Sequence, residues 1–309
     1  MNRKGRVGSK VVENRNFREY FGTSQNIVQI LWKLLVDNDL LPENCQLKHL
    51  LWTLFFMKVY PKQAPACSGV GGSGGAVDPK TLCKWAWAFI INIAELEDIV
   101  VSVIDAKLAV LFIFVLLLVD SFFSNQIDFE QRKVGDVYND CLMSVDGTDF
   151  QIQQKGPAVR GNRYGSHKFG GRSGLRYELG ICILTSHLVW IQGPYPAGQF
   201  NDIAIFNMCL AHKLDPYERV EADNGYCGHV DKVKCPKNAN NRLEKRRMQA
   251  RVRARHETFN GRLKNWGILK QVFRHKVLLH GKVFRACAVI TQLMVENGEL
   301  LFSVEYNDT

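Results

Sequence analysis

Two aspartates stand where a β-rich run gives way to glycine: Asp146 in SVDGTDF and Asp223 in VEADNGY. A glycine close behind lets the backbone turn out of a sheet, so each carboxylate could project into a crevice at the sheet's edge. A third acid, Glu257, falls on a basic helical segment. There Arg253, Glu257, Asn260 and Lys264 make one stripe, beside an apolar face of Val252, Phe259, Leu263 and Trp266. Carboxylates offer hard oxygen ligands that suit Mg²⁺ or Mn²⁺, or a pair can carry out metal-free acid/base work. Each acid alone also has a plainer reading, a strand-end turn for the aspartates and a solvated salt-bridge ladder for Glu257.

The elements that must position these acids lie mostly beyond residue 140. Cys141 to Val145 leads into Asp146, Tyr177 to Leu184 and Leu188 to Gln192 form a hairpin around Thr185-Ser186-His187, and Arg219 to Ala222 leads into Asp223. Helices are expected from Asp202 to Ala211, from about Arg242 to Trp266 and from Val283 to Val295. That order implies an α/β fold, a mixed sheet flanked by helices. The first hundred residues read as all-helical. Ile27, Ile30, Leu31, Leu34 and Leu35 follow Thr23 or Ser24 as N-cap; Leu47, Leu50, Leu51, Leu54 and Phe55 repeat the spacing before Pro61; and Asp78-Pro79 opens a helix through Trp85, Phe89 and Ile93. Ser68 to Val77 reads as a glycine-rich linker. These helices could form a DNA-binding headpiece or simply a packing layer.

From Asp146 onward the chain resembles the DDE endonuclease domain of Harbinger-type transposases and their bacterial insertion-sequence relatives. VDGTDFQI is similar to the family's first-aspartate strand, GPYPAGQFNDIAIF to its glycine-then-aspartate segment, ADNGY to its D-x-G-Y strand end, and RARHETFNGRLKNWGIL to its R-x3-E-x6-K helix. The matches come in the family's order. One departure is Ala250, where bacterial relatives often carry a tyrosine. The resemblance implies an RNase H-like domain over 127–309, in which the first strand, the fourth strand and a later helix each supply one acid. Asp146, Asp223 and Glu257 are then the catalytic, metal-binding set, with Asp202 as the rival second acid and metal ligand. It also implies a metal-dependent endonuclease or transposase holding Mg²⁺ or Mn²⁺, Arg253 and Lys264 on the phosphate, and a Myb-like DNA-binding accessory protein as partner. The alternative on the same fold is a domesticated, non-cleaving DNA-binding protein.

The charge balance, Lys+Arg 40 against Asp+Glu 30 and a net +10, favours a polyanion such as DNA. Lys155 to Arg176 reads as a flexible cationic loop whose Arg160, Arg163, Lys168, Arg172 and Arg176 follow a phosphate backbone, or as a solvated basic loop. Seven cations from Arg242 to Arg255 could steer DNA or serve nuclear import, and a nucleus is expected. Nine scattered cysteines without a CxxC pair point to a reducing compartment. Cys227, His229 and Cys235 lack a fourth partner at zinc spacing. No secretory signal is read, and no membrane span is expected, since the apolar run Leu108 to Val119 is short of the roughly 20 residues a spanning helix needs. The segment 101–126 reads as an apolar insert between the helical region 1–100 and the nuclease domain. Its Phe, Leu, Ser and Val content is what a pyrimidine-rich nucleotide tract encodes, as in a retained intron; a buried helix is the other reading.

Overall fold

A computed structural model describes residues 13–71, 75–101, 141–153, 163–238 and 243–304. The expectations about the insert 101–126, and about Lys155, Arg160 and Arg242, lie almost wholly outside these residues. The fold is mixed α/β, a five-stranded mixed sheet flanked by helices.

Local chemistry starts the helices before the sheet. In α1 (Gln25–Asp37) the Ser24 hydroxyl accepts from the Ile27 amide, and Ile27, Leu31 and Leu35 turn inward. α2 (Leu47–Val59) buries Leu50, Leu54 and Met57 and stops at Tyr60, in a left-handed conformation ahead of Pro61. α3 (Pro79–Glu95) begins as expected, with the Asp78 carboxylate accepting from the Thr81 amide at 3.0 Å, and buries Trp85, Phe89 and Ile93. The linker is shorter than expected, because Gln63–Gly71 is helical and 68–71 belong to it. Tertiary packing outweighs the glycines there: Cys67 and Leu82 are buried against one another, and the Cys67 carbonyl accepts from the Val77 amide.

The strands are β1 (Cys141–Gln151), β2 (Gly174–Cys182), β3 (Leu188–Pro196), β4 (Arg219–Ala222) and β5 (Val233–Lys234). Their order is β3-β2-β1-β4-β5. β1, β2 and β3 pair antiparallel, whereas β4 runs parallel to β1 and β5 parallel to β4. β1 corrects the expected turn at Asp146-Gly147. The strand runs straight through both residues, pairing Asp146 with Leu179 and Gly147 with Glu178.

Alternation along β1 divides two cores. Phe150, with Tyr177, Leu179 and Ile181 of β2, faces α5 (Leu243–Leu263) and α6 (His280–Glu296), where it meets Phe259, Leu263, Val283 and Phe284. α1, α2 and α3 bury Leu31, Leu54 and Phe89 in that same core, so helices before and after the sheet form one layer. Met143 and Val145 face the other way, onto Phe206 and Leu210 at α4 (Asp202–Cys209). Residues 277–296 are long and apolar enough to cross a bilayer by length and composition, but 72% of that stretch is buried inside the fold.

Candidate active site

The parallel register of β1 and β4 places the two aspartates. Val145 pairs with Ala222, β4 ends there, and β1 continues for six more residues. Asp146 and Asp223 are therefore the next residues on neighbouring strands, at the carboxyl end of β4 where the sheet opens. Here the turn expected after Asp223 is real: its carboxylate accepts from the Gly225 amide at 2.7 Å and caps the short helix Asn224–Tyr226. α5 crosses β1 and β4 on one face, and Asn260 donates to Asp146 Oδ2 at 2.9 Å. Glu257, one turn earlier on α5, joins Asp146, Asp223, Arg253 and His256 around a small pocket of about 50 Å³. A pocket of this size suits ions and a few waters.

Asp202 reaches the same spot from the opposite face. Its carboxylate lies behind Gly147, so close that a Cβ there would stand 2.0 Å from Oδ1, and a Cβ on Gly225 would stand 3.2 Å from Oδ2. Glycine at 147 thus makes room for a carboxylate rather than for a turn. Arg176 holds that carboxylate, with Nη1 3.3 Å from Asp202 Oδ1. The same guanidinium donates to Asp149 Oδ1 at 2.7 Å and Oδ2 at 3.1 Å, and to the Phe200 carbonyl at 3.2 Å. Arg176 is only 7% exposed, which corrects its expected place in a flexible loop. It lies in β2 as the partner of two acids and is not open to a phosphate.

The other cations divide similarly. Lys168, Arg163 and Arg172 are exposed on the loop before β2; Lys168 Nζ donates to the Gly147 carbonyl at 2.7 Å, Arg163 to Tyr164 Oη at 3.1 Å and Arg172 to the Phe169 carbonyl at 3.2 Å. Lys264 is exposed, its ammonium 6.0 Å from the centre of the Phe150 ring. Arg253 lines the pocket while donating to buried Glu221 at 3.3 Å. Arg255, from the basic run, is fully buried and ties off β2 through Ser186 Oγ and the Cys182 and Ile183 carbonyls.

Residues absent from the expected set complete the surroundings. Asn260 holds Asp146. His256, fully enclosed, sets a ring nitrogen 3.2 Å from Ser144 Oγ, and burial followed by the Arg255 charge pushes its pKa down to about 3, leaving it neutral. Glu178 accepts from Trp190 Nε1 at 3.0 Å, and burial lifts its carboxyl to about 8. His256 had a signal, since it sits beside Glu257 in the same helix. Asp149 and Glu178 had none without the strand pairing.

Electrostatics mark this region as short of positive charge. Burial, the largest cause, lifts Asp146 to about 7; Lys168 opposes the shift, while Glu257, Asp223 and Asp202 add to it. Asp202 is raised mainly by burial, against the pull of Arg176 and Lys168. Asp223 and Glu257 are exposed at the mouth of the site, with Asp146 deeper between them, and like charges beside a buried carboxylate are relieved by a proton or a cation. The carboxylates of Asp146, Asp223 and Glu257, which share the pocket with Arg253 and His256, are oxygen donors of the kind a hard divalent ion takes. Among the described residues no three His, Cys, Asp or Glu side chains are drawn together as ligands of a single ion, Cys227, His229 and Cys235 included.

No family model, curated protein or solved structure matches the chain.

Gly147→Ala must push Asp202 away from Arg176, and overpacking of this kind costs about 1–3 kcal/mol. Adding Asp202→Ala removes the obstacle, so the double variant should lose less than the sum of the two single losses in urea denaturation. A Gly147→Ala protein as stable as the parent would contradict the packing.

Proposed function

We propose that this chain is a metal-dependent DNA endonuclease of the transposase kind, on an RNase H-like fold of the Harbinger DDE type. The observation that carries the proposal is the convergence of Asp146, Asp223 and Glu257, from the first strand, the end of the fourth and a later helix, on one pocket and one sheet face. Asp202 approaches from behind, already partnered by Arg176, which favours Asp223 as the second acid.

Divalent ions, Mg²⁺ or Mn²⁺, would supply an activated water or 3′-hydroxyl and a stabilised leaving oxygen at this centre. Asp146, the innermost of the three, would hold them together with Asp223 and Glu257. Asn260 keeps the Asp146 carboxylate in one orientation. Arg253, braced by Glu221, and Lys264, just past the end of α5, supply fixed charge for the phosphate. The net charge of +10 favours DNA approach at low salt. The helices before the sheet act as a packing layer, and site recognition falls to a Myb-like partner in the nucleus.

The deciding experiment is nicking of supercoiled plasmid and transposon-end DNA in Mg²⁺ or Mn²⁺. Asp223→Ala and Glu257→Ala should each lower the rate on the order of 10³-fold. Undiminished cleavage by Asp223→Ala would hand the second position to Asp202, and no metal-dependent cleavage by the parent chain would overturn the proposal.

A further inference from the structure

Lys168 is held where its charge acts on both faces of the acid cluster. It lies in the short helix His167–Phe169, whose first turn is capped by Ser166: Oγ accepts from the Lys168 amide at 3.2 Å. The same hydroxyl donates to Asp149 at 2.5 Å, and Asp149 is gripped by Arg176. The turn is thus tied to β1 and β2 from below, and Gly170 and Gly171 close it at φ of 61° and 84°, values that suit glycine. From this base the lysine stem crosses to β1, where Nζ donates to the Gly147 carbonyl at 2.7 Å. Gly147 separates Asp146 on one face from Asp202 on the other. Lys168 is the strongest cationic influence on Asp146 and second only to Arg176 on Asp202.

Its anchor is one backbone carbonyl, on an exposed side chain. Such a bond holds loosely, and an ammonium on a flexible stem is free to move to another acceptor. We infer that Lys168 is the counter-ion of the metal-free site: it stabilises the acid cluster, competes with an arriving divalent cation, and is released by that cation to a DNA phosphate. This rests on the metal-dependent reading above.

The test is Mn²⁺ binding to the full chain without DNA, followed by the paramagnetic resonance of free Mn²⁺, in parent, Lys168→Met, Lys168→Arg and Asp146→Asn proteins. Lys168→Met should bind Mn²⁺ more tightly, on the order of tenfold at low salt, with a gap that narrows as ionic strength rises. Lys168→Arg should stay near the parent. Duplex DNA binding in Ca²⁺ should change in the opposite sense, about threefold weaker in Lys168→Met. A merely structural lysine would weaken both ligands together, and that result overturns the inference. Equal Mn²⁺ affinity in parent and Lys168→Met, with binding lost in Asp146→Asn, overturns the role of Lys168 and leaves the metal reading standing. Absence of any Mn²⁺ binding that Asp146→Asn removes overturns the metal reading and the counter-ion with it.

Discussion

Asp146→Asn is expected to abolish metal-dependent cleavage while raising the melting temperature in EDTA. Burial and three neighbouring carboxylates raise Asp146 to about 7 in the folded chain, against roughly 3.9 when unfolded. A group with a raised folded pKa adds stability that is complete below its unfolded pKa and disappears as pH rises through the folded one. The parent protein should therefore lose stability between about pH 4 and pH 7, by at most about 4 kcal/mol from this residue. Asparagine cannot ionise and keeps an oxygen to accept from Asn260, so the variant should lack that part of the decline. At pH 8 in EDTA its midpoint should stand a few degrees above the parent's, while nicking in Mg²⁺ falls on the order of 10³-fold or more. Retained nicking would remove Asp146 from the centre, and a lowered midpoint would show that burying the Asp146 charge among other carboxylates does not strain the site.

That opposition between stability and activity was only partly legible in the sequence. Asp78-Pro79 announced α3 because capping is a contact between near neighbours, and the spacing of Trp85, Phe89 and Ile93 followed the helical period. Asp223 could be placed just past a strand end for the same local reason, whereas Asp146, expected at a strand end too, falls in the middle of β1. The far half of β1 could not be seen. Thr148 and Asp149 look like turn residues until Asp149 is paired with Arg176, 27 positions away. A strand count favours Asp223 over Asp202 as the second acid but does not show which face of the sheet each acid approaches. That is fixed by the parallel pairing of β1 with β4, which periodicity does not reveal. β5, two residues long, is too short to leave a pattern. A small error in a boundary had the largest consequence. Starting β2 at Tyr177 leaves Arg176 in a basic loop, whereas starting it at Gly174 turns the same residue inward.

Arg176→Met should be the most damaging single change, because it leaves Asp149 and Asp202 without their shared cation. Asp149 is 2% exposed and Asp202 mostly buried behind Gly147, so neither can recover its lost partner from water. Removing one member of a buried ion pair typically costs about 3–5 kcal/mol, a large share of the roughly 5–15 kcal/mol that holds a domain together. Lysine is a poor substitute, since one ammonium cannot reproduce the guanidinium's two bonds to Asp149 together with its approach to Asp202. If the cost is unpaired charge, Asp149→Asn in the Arg176→Met background should restore part of the stability, and a double-mutant cycle in urea measures how much. If the cost is lost packing, Asp149→Asn should restore nothing, because methionine already fills most of the arginine stem's volume. Cleavage separates the two acids further. The double variant relieves Asp149 but still frees Asp202 to move toward Asp146, so it should remain impaired as a nuclease even where its stability returns. Full recovery of both properties would mean that Asp202 does not depend on Arg176 for its position.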